Sequence, residues 1–196
     1  MKEHKDHLLG VTVAKRSVQH LLRTLFIIAL ILVLCVGAFL MAMHISNLYI
    51  LTVEGLTLRA KCILQEGSLL DLGECFTGEW IQQDALLTSG VYDNYTVHSF
   101  DYRVAFSSPS VMPWSTTATA IVNEQMQNMQ GSINSDAVPA DAPKDAVYPL
   151  PEWEEKEYLV HYVRLNGRWY IDKLEELGPA VPPEVKPTPA PTPVAG

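Results

Sequence analysis

Hydrophobic and polar positions are unevenly distributed along this chain, and one long stretch contains no charged position. Residues 25–43 read LFIIALILVLCVGAFLMAM, which is 19 consecutive residues without a charge. A helix needs roughly 20 apolar residues to cross the hydrocarbon core of a bilayer. A single spanning segment must be helical because lipid offers its backbone no hydrogen-bond partners, whereas a buried core helix of this length would have a polar side. The pattern predicts a transmembrane helix over residues 25–45.

The charges before this stretch predict its orientation. Residues 1–24 contain 5 basic and 2 acidic side chains, and basic residues close to a span remain on the cytoplasmic side. The apolar run is longer than the about 7–15 residues typical of a cleaved signal peptide, and no A-x-A-like site follows it. We therefore expect an uncleaved signal-anchor in the cell membrane, with residues 1–24 in the cytoplasm and residues 46–178 forming an extracytoplasmic domain.

Helical spacing continues after the span. Residues 44–65 keep apolar positions three and four residues apart, so the membrane helix is predicted to run directly into the first helix of the outer domain. Ser68 is suited to capping a second, amphipathic helix of about 12–16 residues within residues 69–87. Phe76 and Trp80 are four residues apart and would share a face of it. The polar residues between the apolar positions are expected to face water: Glu54, Arg59, Lys61, Asp71, Glu74, Glu79 and Asp84.

The period changes to that of β-strands beyond residue 96. Residues 97–106 and 114–127 are rich in β-branched and aromatic side chains and alternate along much of their length, which predicts two strands. Pro109 and Pro113 lie between them and indicate a bulge or a sheet edge. Residues 131–151 carry little hydrophobic pattern and predict a loop of about 20 residues, longer than compact domains normally contain. Such a loop either moves freely or covers a site.

The last hydrophobic pattern predicts a β-hairpin. The segments EYLVHYVRL and RWYIDKLEEL flank Asn166-Gly167, the pair favoured in two-residue type I′ turns. This turn predicts four cross-strand pairs: Leu165 with Arg168, Arg164 with Trp169, Val163 with Tyr170 and Tyr162 with Ile171. Residues 179–196 are rich in proline and almost uncharged, and they predict a disordered tail that cannot form a packed core.

Charge and cysteine content narrow the range of functions. The net charge is −8, and the residues after position 24 contain 9 basic against 20 acidic side chains. A nucleic-acid-binding domain would show a basic patch, so no nucleic-acid partner is expected. Cys62 and Cys75 are expected either to form one disulfide or to remain free, and no cysteine or histidine spacing indicates a zinc site.

The order of these elements, two helices followed by antiparallel strands, closes with a G-[KR]-W-x-I motif. This run, Gly167-Arg168-Trp169-Tyr170-Ile171-Asp172, resembles the last hairpin of the NTF2-like superfamily. The resemblance extends over residues 54–177, approximately, and implies an α+β domain in which a curved antiparallel sheet wraps around helices to form a cone. Small extracytoplasmic members with one N-terminal membrane helix occur in Gram-positive bacteria. The family's long opening helix would here have to come from the membrane-proximal segment.

The sequence contains no recognisable catalytic set, phosphate-binding loop or metalloprotease motif, so we expect no catalytic residue, cofactor or metal. Some enzymes of the resembled superfamily are isomerases that hold a carboxylate base and a tyrosine donor inside the cone, where an apolar pocket tunes the pKa of the base. Core packing is the expected role of Phe76 and Trp80. The candidates for lining a ligand pocket are Phe76, Trp80, Asp101, Tyr102, Tyr162 and Tyr170.

These observations favour a non-enzymatic single-pass membrane protein. Its expected partners are the lipid bilayer and either another envelope protein or a second copy of the chain. The alternative is a small-ligand-binding or isomerase-like cone domain. The resembled fold does not decide between the two, because it serves enzymes, binding modules and scaffolds alike.

Overall fold

The structure, a computed structural model, describes residues 3–64, 67–139 and 146–180. It is an α+β chain, as predicted, in which a long N-terminal apolar helix packs against a four-stranded antiparallel sheet that curls but stays open. The predicted disordered tail lies outside the described residues from position 181 onward.

The first helix, α1 (Glu3–Ile63), is continuous over 61 residues, a length of about 90 Å. It confirms that the apolar segment runs directly into the first helix of the domain. The same helix also covers residues 3–24, for which the hydrophobic pattern predicted no element. Among the described residues, it is the one helix long and apolar enough to cross a membrane. Its side chains are exposed from Leu21 to Met43, and burial begins at His44.

The domain half of α1 presents a continuous buried stripe to the sheet. Leu48, Thr52, Leu56 and Ala60 are fully buried and follow one another at four-residue steps, which places them one above the other on a single helix face. Gly55 lies beside this stripe, and a side-chain carbon there would come within 3.2 Å of the Ile171 side chain. The predicted core face of this helix is confirmed only in part. Apolar spacing places it at Leu48, Leu51, Gly55, Leu58, Cys62 and Leu64, of which Leu51, Leu58 and Cys62 are only half-buried at the margin of the observed stripe.

The prediction of one amphipathic helix of about 12–16 residues within residues 69–87 is wrong. The structure has three short helices instead: α2 (Leu69–Leu72), α3 (Gly78–Gln83) and α4 (Ala85–Ser89). Between α2 and α3 the chain pairs with the sheet at Phe76 and Ile171; the Ile171 N–H donates to the Cys75 carbonyl at 2.8 Å and the Thr77 N–H to the Ile171 carbonyl at 2.9 Å. Tertiary backbone pairing wins over helical periodicity here. Ser68 caps α2, as predicted, by accepting from the Leu70 N–H at 3.2 Å.

The sheet is a meander of four strands in the order β1-β2-β3-β4: β1 (Tyr95–Ser110), β2 (Thr117–Ile133), β3 (Lys156–Leu165) and β4 (Arg168–Pro179). The first two strands are longer than predicted. β2 takes over the first residues of the predicted 131–151 loop, because Gly131 pairs with Val97. β1 continues through a bulge between Ser107 and Ser110, and as an edge strand it tolerates Pro109 there, as expected.

The predicted hairpin is confirmed residue by residue. Leu165 faces Arg168, and the three further predicted pairs follow in register. Asn166 and Gly167 both have positive φ, at 51° and 86°, which is the backbone required by a type I′ turn. Two bulges further along β3 and β4, after Tyr162 and at Tyr158, increase the local twist.

Two hydrophobic clusters fill the space between α1 and the sheet. The larger lies under the first turns of the domain half of α1 and includes Leu48, Phe76, Val122, Tyr162 and Ile171. The smaller lies at the far end of α1 and includes Ile63, Tyr92, Val97, Leu150 and Trp153. The end of the predicted 131–151 loop is thus packed onto the domain through Leu150, as is Trp153 just beyond it. Cys62 and Cys75 carry free thiols.

Candidate functional site

The most unusual feature of the interior is a group of three charged side chains. Arg59 comes from α1, Asp84 from the residue that caps α4, and Glu124 from the middle of β2. Their exposed fractions are 3%, 8% and 0%. Burying an ionised side chain is costly unless it is paired and hydrogen-bonded. We call these three residues the buried charge cluster.

Arg59 and Asp84 form the strongest contact of the cluster. The Arg59 Nε donates to Asp84 Oδ2 at 2.6 Å and its Nη2 donates to Oδ1 at 3.2 Å, the two-pronged geometry that suits guanidinium and carboxylate. Asp84 Oδ1 also accepts from the Leu86 N–H at 3.0 Å, so one carboxylate caps α4 and holds α1. The guanidinium carbon lies 5.8 Å from the centre of the Trp80 ring, within the range of a cation–π contact.

The expectation that Arg59 and Asp84 face water is therefore wrong. Helical spacing assigned both residues to polar faces, which is correct for an isolated helix. In the fold, the sheet curls around α1 and the short helices close over its side, so that more than one stripe of α1 is covered. The polar residue on that second stripe is buried together with its partner.

Glu124 is the least satisfied member of the cluster. Its Oε1 accepts from the Trp153 Nε1 at 2.6 Å, and its Oε2 lies 3.6 Å from Arg59 Nη1. Within the described residues, Glu124 Oε2, Arg59 Nη1 and the neighbouring Tyr102 hydroxyl make no hydrogen bond of ordinary geometry, although the Tyr102 hydroxyl lies close enough to Glu124 to oppose the rise in its pKa. Burial raises the pKa of Glu124 above its ordinary value, although the Arg59 charge and the Trp153 hydrogen bond act in the opposite direction.

Two tyrosines take part in the electrostatics of the cluster. Burial raises the pKa of Tyr102 well above its ordinary value, and the Glu124 charge adds to this shift. Burial followed by the Glu124 charge raises the pKa of Tyr158 to about 12. Both phenols are therefore neutral donors at physiological pH.

A surface cleft of about 280 Å³ reaches the Arg59–Asp84 pair from outside. Trp80 and Tyr158 form part of its wall, and Lys156 stands at its rim. The Lys156 ammonium pairs with Glu176 at 3.0 Å and with Glu154 at 2.9 Å. Each cation at the cleft is thus paired with two carboxyl groups, Lys156 at the mouth and Arg59 at the floor.

The structure brings some of the predicted ligand-pocket residues together. Phe76 and Trp80 stack with ring centres 4.3 Å apart and planes at 17°, although they lie on different elements and not on one helix. Tyr102 lies beside the buried charge cluster. The Tyr162 hydroxyl shares a hydrogen bond of 2.5 Å with Thr52 Oγ1. These four aromatic residues are part of the core between α1 and the sheet.

The other two predicted pocket residues lie apart from that core. Asp101 points to the opposite face of β1 from Tyr102, because neighbouring strand residues alternate, and it pairs with exposed Arg103. The hydrogen bond from Arg103 lowers the pKa of Asp101. Tyr170 is half-buried with the Arg168 guanidinium over its ring at 5.6 Å. No carboxylate and tyrosine from the predicted set are therefore assembled as base and donor.

A second cleft, of about 450 Å³, opens on the sheet near the β1–β2 turn. It is lined by Tyr162, His161 and Asp172, among other residues. His161 Nε2 lies 3.3 Å from a Glu175 carboxylate oxygen, as befits a residue on a sheet face. Among the described residues, no group of three or more histidine, cysteine or acidic side chains is arranged to hold a metal ion.

Sequence reasoning missed the buried charge cluster, although one signal for it was present. Ala118, Ala120 and Val122 mark the buried face of β2, and Glu124 continues the same alternation. No comparable local signal identifies Trp153, whose indole reaches Glu124 from a segment without regular structure.

Comparisons of the chain with models of known protein families, with curated proteins and with solved structures found no match.

Proposed function

We propose that this chain is a non-enzymatic single-pass membrane protein whose extracytoplasmic domain mediates protein–protein contact or assembly at the cell envelope. One observation carries the proposal: α1 is both the uncovered apolar segment and the core helix of the domain. Residues 25–43 are exposed, and Leu48, one turn later, is fully buried. Because no flexible linker separates the two halves, a bilayer around the first half would fix the orientation of the second.

We further propose that the domain is an NTF2-like cone. The element order supports this assignment, since helices precede a curled antiparallel sheet that closes with the Asn166-Gly167 hairpin. The second half of α1 would supply the long opening helix of the superfamily. Side chains from α1 and the sheet occupy the space that a ligand would use in such a cone.

Near Tyr162 and Trp169 the interior polar groups are paired with one another, which favours a contact role over small-molecule chemistry there. The Thr52 hydroxyl and the Tyr162 hydroxyl share a hydrogen bond, and the Trp169 Nε1 donates to His44 at 3.3 Å.

The outer edge of β1 has unpaired backbone groups: within the described residues, no strand pairs with it. Residues 101–107 pair regularly with β2 between two bulges, so they offer a row of backbone donors and acceptors to an incoming strand.

Site-specific photocrosslinking in living cells tests the contact role. A photoreactive residue replaces Arg103 on the β1 edge, and a matched variant carries it at Lys173, equally exposed on β4. We expect one adduct of defined mass from position 103 and none from position 173. Monomeric full-length protein in detergent, together with no adduct from any β1 position, would contradict the proposal.

Reporter fusions test the orientation. A reporter that is active only outside the cytoplasm is fused after residue 180, and a second fusion is made after residue 24 of the truncated chain. Activity of the first and silence of the second is the expected result. The reverse pattern would place the domain in the cytoplasm and end the envelope proposal.

One observation supports a second candidate, a small-ligand-binding or isomerase-like cone. The 450 Å³ cleft beside His161 and Asp172 is large enough for a small organic molecule. Thermal shifts of the full-length protein with a panel of small apolar ligands test it, with His161→Ala as the cleft variant. A shift that His161→Ala abolishes would favour this candidate; the absence of any shift across the panel would remove it.

A further inference from the structure

Two turns of the sheet lie at the end where α1 enters the domain. In a meander, the β1–β2 and β3–β4 connections share one end, and the Arg164 N–H confirms their proximity by donating to the Thr116 carbonyl at 2.8 Å. α1 enters at the same end, since His44 contacts Trp169 just after the β3–β4 turn. We call residues 111–116 and 164–169 the turn end of the domain.

Large apolar side chains are exposed at the turn end. Trp114 is 81% exposed, Met112 54% and Leu165 47%. Exposure alone does not distinguish the turn end from the rest of the domain, because Val147 at the opposite end is 85% exposed. The difference lies in where these side chains stand relative to the apolar half of α1.

Contacts place Trp114 close to the level where the apolar segment ends. The Trp169 Nε1 donates to His44, the residue that follows Met43. Trp169 pairs with Arg164 across the hairpin, and the Arg164 N–H donates to the Thr116 carbonyl at 2.8 Å. Trp114 lies two residues before Thr116, in the turn between β1 and β2, and is therefore near the end of α1's apolar segment.

The length of the apolar segment matches this position to the bilayer surface. Residues 25–43 span roughly 28 Å as a helix, close to the hydrocarbon thickness of ~30 Å. Met43 then lies at the boundary between hydrocarbon and headgroups. Tryptophan is enriched at that boundary because its ring is apolar and its N–H is polar.

The charges of the turn end fit the same surface. The chain after residue 24 is strongly acidic, yet the β3–β4 turn is flanked by two arginines. Arg164 packs over the Trp169 ring at 5.9 Å and Arg168 over the Tyr170 ring at 5.6 Å, so both guanidinium groups are held at this end. Arg168 also donates to the Glu74 carbonyl at 2.9 Å and lies 3.6 Å from its carboxylate, whereas Arg164 donates to the Gly167 carbonyl at 3.2 Å. Basic side chains near a membrane are attracted to anionic headgroups.

We propose that the turn end lies in the headgroup layer of the bilayer that α1 enters, with Trp114 inserted beside the lipid headgroups and Arg164 facing anionic lipid. The inference rests on the proposed membrane anchoring and adds a second contact to it. With α1 and Trp114 both held, the domain cannot rotate about the helix axis, and the β1 edge is presented to neighbours in a fixed direction.

Fluorescence quenching in lipid nanodiscs tests the proposal. Full-length protein is reconstituted in phosphatidylcholine and phosphatidylglycerol, with lipids brominated close to the headgroup as quenchers. Trp114→Phe removes the proposed reporter. Of the three remaining tryptophans, Trp80 and Trp153 act as an internal reference in the same disc, and Trp169, which is buried at the turn end, accounts for the lipid quenching that persists in this variant. In the Trp114→Phe background, Val147→Trp restores a fluorophore of equal exposure at the opposite end of the sheet.

We expect brominated lipid to quench the wild-type protein, Trp114→Phe to lose most of that quenching, and Val147→Trp not to regain it. Aqueous acrylamide should quench residue 147 much more strongly than Trp114. Unchanged lipid quenching in Trp114→Phe, with α1 integrated in the disc, would overturn this inference and leave the anchoring intact. Failure of the wild-type protein to integrate at all would overturn the anchoring and this inference together.

Discussion

At the scale of single residues, the buried charge cluster decides how α1, α4, β2 and the segment before β3 fit together. Asp84 binds Arg59 and also caps α4, while Glu124 binds the Trp153 indole. The Arg59–Asp84 and Glu124–Trp153 contacts each join elements that are separated in sequence. Since an unpaired buried charge is more costly than an exposed one, removing one member destabilises the structure through the partners that it leaves behind.

Arg59→Met should lower the free energy of unfolding by about 3–5 kcal/mol, because it leaves Asp84 and Glu124 buried without a cation. The matched change Arg103→Met breaks the exposed pair with Asp101 and should cost less than about 1 kcal/mol. Denaturant unfolding of the full chain in detergent micelles measures both. Equal losses of unfolding free energy for the two variants would show that the buried charge cluster contributes no more to stability than an exposed ion pair does.

Glu124→Gln should change how stability depends on pH. The folded state raises the pKa of Glu124 above its ordinary value of 4.5. As pH rises, the unfolded chain therefore loses this proton at a lower pH than the folded chain does. The stabilisation that this raised pKa adds to the free energy of unfolding is therefore fully present below pH 4.5, and it is lost as pH rises toward the folded-state pKa.

The glutamine variant should lack that decline. Unfolding free energies of both proteins, measured in the same micelles across the acidic to neutral range, should converge or cross as pH rises. Parallel curves throughout this range would mean that Glu124 has the same pKa in the folded and unfolded states.

At the scale of elements, local sequence determined turns and caps, and long-range pairing determined where helices end. The type I′ turn at Asn166-Gly167 and the Ser68 cap needed only neighbouring residues. The predicted helix within residues 69–87 failed because Phe76 pairs with Ile171, nearly a hundred positions away. A helical period is satisfied equally well by short helices interrupted by a bridge, so periodicity alone does not detect the interruption.

Two glycines offer a direct test of turn chemistry. A side-chain carbon at Gly167 or at Gly78 would meet no atom within 4 Å, but only Gly167 has a positive φ, of 86°. Gly167→Ala should therefore destabilise the protein by about 1 kcal/mol, whereas Gly78→Ala, in the first turn of α3, should stabilise it by about 0.4–1 kcal/mol. Thermal or denaturant unfolding of the two variants checks this. Stability changes of the same sign in the two variants would show that the positive φ of Gly167 is not what makes alanine unfavourable there.

At the scale of the whole molecule, α1 joins the apolar segment to the core without a break. The hydrophobic core of the domain depends on the second half of α1, because Leu48, Thr52 and Leu56 are fully buried against the sheet. A boundary placed by composition alone, after the apolar run, would not reveal how many of the following residues the core requires.

Fragments of the chain test this dependence. Residues 44–180 retain the buried stripe and should fold, whereas residues 57–180 lack Leu48 and Leu56 and should not. Losing each buried leucine costs about 2–5 kcal/mol, a large share of the 5–15 kcal/mol typical of a domain. Circular dichroism and amide chemical-shift dispersion distinguish the two. A folded 57–180 fragment would contradict the central role of α1.

Features that depend on neighbouring residues could be predicted from the sequence. These are the apolar helix, its continuation into the domain, the α+β class and the register of the last hairpin, because each follows from a local period or a two-residue turn. Tertiary structure alone decided the burial of Arg59 and Asp84, the interruption of the second helix and the reach of Trp153 to Glu124. The physical reason is that these depend on how far the sheet curls around α1, and that curvature arises from bulges and packing between residues far apart in the chain.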